Sequence, residues 1–163
     1  MRALLLLLLC ASSAALAAPV MTSAVEKHPG IDYEIWEDAA IPARIHLVRV
    51  DLTSAEIALY ATEEAERGAT TGDIALGLEA QVAINGDSFS VAGYRPRGLA
   101  IGDSTVWTNT ADDASSAVFH LRRVGERTVA AISPPEQVIG IEQLPEGTQG
   151  AISGRPLLIR AGA

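Results

Sequence analysis

What most constrains this chain is the spacing of its apolar residues, which come in short runs closed off by glycine, proline, asparagine or charge. Runs of that length suit strands and leave little room for long amphipathic helices. Ala43 to Leu52 reads as a strand carrying Ile45, Leu47, Val48 and Val50. Thr53-Ser54-Ala55 turns the chain, and Glu56 to Thr62 reads as the returning partner, with Ile57, Leu59 and Ala61 on one face. Glu63 to Gly68 is a charged loop. Thr70 and Asp73 have the spacing of a capping box, which predicts a helix over 71–80 with Ile74, Ala75 and Leu78 on its buried side. Gly72 and Gly77 each weaken that helix by about 1 kcal/mol relative to alanine. Gln81 to Ile84 reads as a short buried strand. Further strands are predicted at Gly98 to Ile101, Ala117 to Val124, Arg127 to Ile132, Gln137 to Ile141, Gln149 to Ile152 and Pro156 to Arg160, with a hairpin turn at Gly125-Glu126. The expected fold class is α+β: one strand-rich domain with one short helix.

The amino terminus has a different character. Arg2 gives a positive start, Ala3 to Ala11 is an apolar run containing six consecutive leucines, and Ala15-Leu16-Ala17 is a small-x-small cleavage pattern. Residues 1–17 therefore read as a signal peptide and 18–163 as the working domain, secreted or periplasmic. The apolar run falls short of the ~20 residues that span a bilayer, so no membrane association is expected after cleavage. Cys10 is the only cysteine and leaves with the signal, so no disulfide, thiol nucleophile or cysteine metal site is expected in the mature chain. The net charge of −8 at pH 7, one more negative without Arg2, disfavours nucleic acid as a partner.

Val82 to Ser90 holds the most unusual chemistry. An apolar stretch runs into Asn85-Gly86-Asp87-Ser88-Phe89, and a second loop follows at Ala92 to Gly98 with Arg95 and Arg97. Asn-Gly is the strongest short hairpin signal, so this stretch reads either as a plain turn or as polar groups gathered at a strand end. His28, His46 and His120 lack metal-ligand spacing, and nucleotide-cradling glycine loops and Gly-x-Ser-x-Gly are absent, so no cofactor or metal is expected.

Three blocks resemble the phosphodiester glycosidase domain family, whose best-known activity removes N-acetylglucosamine from a sugar-phosphate diester. Ala83-Ile84-Asn85-Gly86-Asp87-Ser88-Phe89 is similar to its Ile-Asn-Gly-x-x-Phe signature, and Pro96-Arg97-Gly98-Leu99-Ala100-Ile101 to its Pro-x-Gly-apolar continuation. Ser153-Gly154-Arg155-Pro156-Leu157-Leu158-Ile159-Arg160-Ala161-Gly162 is similar to its Gly-x-Pro-Leu-Leu segment, and His46 to Leu52 to the strand before the signature. Asp87 stands where the family usually has a small residue. The family's later arginine-containing strand and Asp-Gly-Gly-Gly-Ser motif do not follow, so the resemblance implies an incomplete form of that fold.

The resemblance implies a hydrolase that cleaves a sugar from a sugar phosphodiester, or a truncated, non-catalytic relative that binds glycan or is inactive. Glycoside cleavage typically uses two carboxyl groups. Asn85 would orient the substrate and Asp87 would serve as acid or base, with Asp103 and Glu79 as further carboxylates. Gly86 and Phe89 would line the site, and Arg97 and Arg155 would hold the phosphate. The expected partner is a sugar phosphate or glycan. The mature protein is expected to begin at Ala18. Mass spectrometry of the exported chain checks this, and a mass retaining Met1 or carrying lipid on Cys10 refutes it.

Overall fold

The computed structural model describes residues 18–86, 88–108, 110, 115–138 and 140–155. Contacts divide the chain into two compact units: one holds the residues up to Lys27 with Ile31–Arg49, the other His28–Gly30 and everything from Val50 on.

The first unit is a three-stranded sheet of order β1-β2-β3, formed by β1 (Val20–His28), β2 (Ile31–Asp38) and β3 (Ala43–Val50). Pro29-Gly30 joins the first two strands. Proline presets one turn position, and Gly30 takes the positive φ of +78° that the next requires. After β2, the Asp38 carboxylate accepts the backbone N–H groups of Ala40 (2.8 Å) and Ile41 (3.3 Å), so this side chain shapes the turn into β3. Glu34 is buried with both oxygens occupied, one by Trp36 Nε1 at 2.8 Å and one by Arg49 at 3.0 Å. Pairing is what makes a buried carboxylate tolerable here. By contrast, all of β1 and nearly all of β3 are exposed.

The second unit is built on a five-stranded antiparallel sheet of order β7-β6-β10-β8-β9. Its strands are β6 (Ala100–Gly102), β7 (Thr105–Val106), β8 (Ala117–Val124), β9 (Arg127–Ser133) and β10 (Thr148–Gly154). A two-stranded ribbon, β4 (Phe89–Ser90) with β5 (Arg95–Pro96), and one helix, α1 (Thr71–Gly77), precede it in the chain. Asp103 and Ser104, at φ +42° and +63°, make the tight turn between β6 and β7. Two positive φ values in succession match the right-handed twist of a hairpin.

The register puts Ile101, Ala151, His120 and Ala131 in one row across the sheet. That face carries the core of Leu99, Ile101, Val118, Val138 and Ala151, with Ile141 and Leu144 packed against it. On the other face, Gly102 lets the chain at Thr62 lie directly on the sheet. A Cβ there would sit 1.9 Å from the Thr62 carbonyl oxygen, and one at Gly150 would sit 2.8 Å from Ala61 Cβ.

Several expectations are corrected. Among the described residues strands make up 43% and helix 10%, in three sheets with one short helix, so the chain is more β-rich than the α+β class expected. The helix stops at Gly77 rather than Ala80, because Glu79 turns left-handed at φ +52° and Leu76 and Leu78 stay largely exposed. Its start is as read: the Thr70 hydroxyl accepts the Asp73 N–H. Glu56 to Thr62 forms no ladder with β3, and its apolar residues include those that rest on the bare glycine face. Gln81 to Ile84 is neither a strand nor buried, with Ile84 80% exposed. In Gln137 to Ile141, Val138 plugs the core and a short 3₁₀ turn over Ile141–Gln143 follows. Pro156 to Arg160 lies outside the described residues. The strands at Ala117–Val124 and Arg127–Ser133, with their turn at Gly125, agree with the sequence reading.

Two glycines give opposite predictions. Gly102→Ala is expected to destabilise the protein by at least ~2 kcal/mol, since backbone must move. Gly77→Ala, whose side chain would meet nothing within 4 Å, is expected to stabilise by about 0.5–1 kcal/mol. Denaturant melts of both variants check the pair.

His120 gives a pH prediction. It is 4% exposed, its Nε2 pairs with Ser133 Oγ at 3.1 Å, and its Nδ1 is buried without a hydrogen-bond partner among the described residues. Burial pushes the imidazole below its ordinary value of 6.5, and the Arg122 charge adds to this. The unfolded chain then takes up a proton where the folded one resists it. The contribution is whole above about pH 6.5 and is lost as pH falls toward the lowered folded value. Melting temperature is expected to drop between pH 7.5 and pH 5.5, and to drop less in His120→Gln.

Candidate functional site

The site is assembled on the segment between the 3₁₀ turn at Glu64–Glu66 and the start of α1. Its upstream end is fixed by Glu64, whose carboxylate accepts the Thr108 N–H at 2.7 Å, the Thr108 hydroxyl, and Arg67 Nη2 at 2.5 Å. These bonds, those from Thr108 first, hold the Glu64 carboxyl below the usual carboxylate range. Arg67 lies over the Trp107 ring at 5.3 Å, and Trp107 Nε1 donates to the Thr62 carbonyl at 3.1 Å. Beside it, the Tyr60 hydroxyl donates to Glu66 at 2.8 Å. Desolvation, then the Glu66 carboxylate, pushes that phenol up to about 12. The downstream end is fixed by the Thr70 cap on α1.

Two contacts radiate from this segment. The Thr71 hydroxyl donates to Asn85 Oδ1, tying the Asn-Gly loop to the first residue of α1. Gly68, at φ +89°, lies under the Tyr94 ring, where a Cβ would come 3.3 Å from Cδ2. Tyr94 in turn packs against Phe89 with ring centroids 5.6 Å apart at 35°. Gly86 lies over the central strand, where a Cβ would be 3.4 Å from Ile152 Cδ1.

Asn85-Gly86 is thus not the turn of a hairpin. The hairpin lies downstream, with β4 pairing β5 through Phe89↔Pro96 and Ser90↔Arg95, and the Arg97 N–H continuing it to the Ser88 carbonyl at 3.1 Å. Its turn closes on Gly93 (φ +80°) and Tyr94 (φ +50°). Since side chains alternate along a strand, Phe89 and Pro96 share one face of this ribbon, and Arg95 and Arg97 leave from the other.

Of the residues named from sequence, Asn85, Gly86 and Phe89 belong to one connected group. Arg97 joins it through its backbone, with an exposed side chain. Arg155 follows β10, and its Nη1 donates to Ser115 Oγ at 3.1 Å. Asp87 lies outside the described residues. Asp103 stands at the β6–β7 turn and Glu79 just past the end of α1, and neither is among the residues that touch this group. Thr71, Gly68 and Tyr94 were missed. A threonine at a helix start and a glycine before a cap look purely structural in sequence, and only the fold brings them to Asn85. Among the described residues no group of three or more histidine, cysteine or acidic side chains could hold a metal, and no helix is long and apolar enough to cross a membrane.

Comparison with protein-family models, curated proteins and solved structures finds no match.

Proposed function

We propose that the Asn85 loop is the ligand centre of an exported hydrolase that releases a sugar from a sugar phosphodiester. One observation supports this above others: the first two blocks that resemble the phosphodiester glycosidases pair with one another, and the second meets the described start of the third, 54 residues away. The first meets the second along the ribbon, at Phe89↔Pro96 and Ser88–Arg97. The second meets the third where the Leu99 N–H donates to Ser153 Oγ at 2.7 Å and the Ser153 N–H to the Leu99 carbonyl at 3.1 Å. The first reaches the edge of the third through Gly86 over Ile152. In this reading Asn85 orients the substrate, Asp87 acts as acid or base, and Arg97 and Arg155 hold the phosphate. Because Arg97 leaves the ribbon on the side away from Phe89, a ligand touching both has to wrap around it.

A second reading, a glycan-binding relative without turnover, is favoured by the contacts of the Asn85 group. Hydrolysis of a glycosidic bond calls for a pair of carboxyl groups, and the contacts that join Asn85, Gly86, Phe89 and Tyr94 among the described residues run through Thr71, Ile152 and Gly68, not through Asp103 or Glu79.

The test is a turnover assay on a chromogenic sugar phosphodiester beside a melting curve. Asn85 has no positive φ to favour asparagine, so Asn85→Ala loses only the bond from Thr71, a cost of about 1 kcal/mol. Its turnover is expected to fall by at least ~100-fold with little change in melting. Arg97→Ala is expected to raise KM with kcat unchanged. An unaltered KM removes Arg97 from the site, and a parent that binds glycan without turnover supports the second reading.

A further inference from the structure

We propose that Phe89 and Tyr94 form a stacking platform for the apolar face of a pyranose ring, with the Asn85 amide as the hydrogen-bond donor at its side. The inference rests on the reading of the Asn85 loop as the ligand site and adds what the sequence did not offer: a place for the sugar, and Tyr94 as the residue that builds it.

Both rings are open to solvent, Phe89 at 50% and Tyr94 at 47%, though they pack against each other at 5.6 Å. A pair formed only to bury apolar surface would cover more of it. Tyr94 also sits at φ +50°, a conformation uncommon for any residue but glycine and exceptional for a bulky side chain. Its neighbour Gly93 is left-handed too, so the turn could have closed without placing an aromatic there. Gly68 leaves room for the ring, since a side chain there would press against Cδ2. An unfavourable backbone and a cleared seat together hold one ring in one orientation, and such strain clusters at ligand sites.

The polar side of the site fits the same ligand. Thr71 donates to the Asn85 carbonyl oxygen, so what the amide has to offer a ligand is its N–H donors. Asn85 and Tyr94 both touch the segment 68–71, which fixes donor and ring relative to one another. A pyranose has ring C–H groups for an aromatic surface and hydroxyl, acetamido or ether oxygens for a donor at its rim. Nucleobases stack as well, but the net charge of −8 opposes a polyanion.

The experiment titrates the mature chain with N-acetylglucosamine and with methyl glucoside, following the aromatic proton resonances, with turnover of the chromogenic phosphodiester measured in parallel. Tyr94→Phe keeps the ring and is expected to keep the affinity. Tyr94→Leu and Phe89→Leu keep apolar bulk without a ring and are expected to bind about tenfold more weakly. Tyr94→Gly suits the left-handed backbone, so it removes the ring even if Tyr94→Leu fails to fold. Leucine variants that bind as the parent does, or aromatic resonances that neither sugar moves, overturn the platform whatever the turnover. Ring-dependent binding without turnover keeps the platform and removes the hydrolase reading. Turnover with no ring dependence does the reverse.

Discussion

The second unit depends on the two ladders of β10. Its antiparallel bonds to β8 on one side and β6 on the other make it the middle of the sheet. Each covering segment is placed by reference to it. Ala151 lies in the core beneath Val138, Gly150 admits Ala61, and Ile152 carries Gly86. Ser153 adds a lock at the strand's end, its hydroxyl accepting from the Leu99 backbone while its own N–H returns a bond. With no disulfide in the described residues to close the chain, these bonds and the apolar row beneath them hold β6 against β10. The residues that resemble a ligand site come together on two supports, α1 through Thr71 and β10 through Ile152.

How much of this was legible in the sequence follows a physical divide. The β8–β9 hairpin was read to within a residue, because alternation, a glycine turn and strand length all agreed there. Two of the errors share a cause. Ala61, Val138 and Ile141 lie on a sheet without belonging to it, and a residue covering a sheet is as apolar as one within it. Pairing distinguishes the two, and pairing is non-local. The same reason explains the overestimate of helix: the cap at Thr70 was a local signal and was right, whereas the helix's length depended on Glu79 turning left-handed and on the absence of a surface for Leu76. Neither is written in the pattern of residues.

The site shows the same division. Asn85, Gly86 and Phe89 were marked by their chemistry and spacing, and the fold connects them. Thr71 and Gly68 look merely structural in sequence, and they matter because the fold brings one to Asn85 and the other under Tyr94. Arg97 was marked as a residue to hold a phosphate, but the register of a two-residue ribbon decides which way it leaves. That alternation is also why Phe89 and the arginines of one short hairpin face apart.

The lock between Leu99 and Ser153 spans 54 residues, and that separation sets an order of assembly. The β8–β9 hairpin closes locally, and β10 can dock on it across a modest loop. Seating β6 on β10 requires the longest closure of the three, and loop entropy grows with length. The Asn85 loop, whose floor is Ile152, has nothing to rest on until β10 is in place. The part of the molecule proposed to meet a ligand thus leans on a strand that comes more than 60 residues later in the chain, and loosening β10 would free it even with its local tie to Thr71 intact.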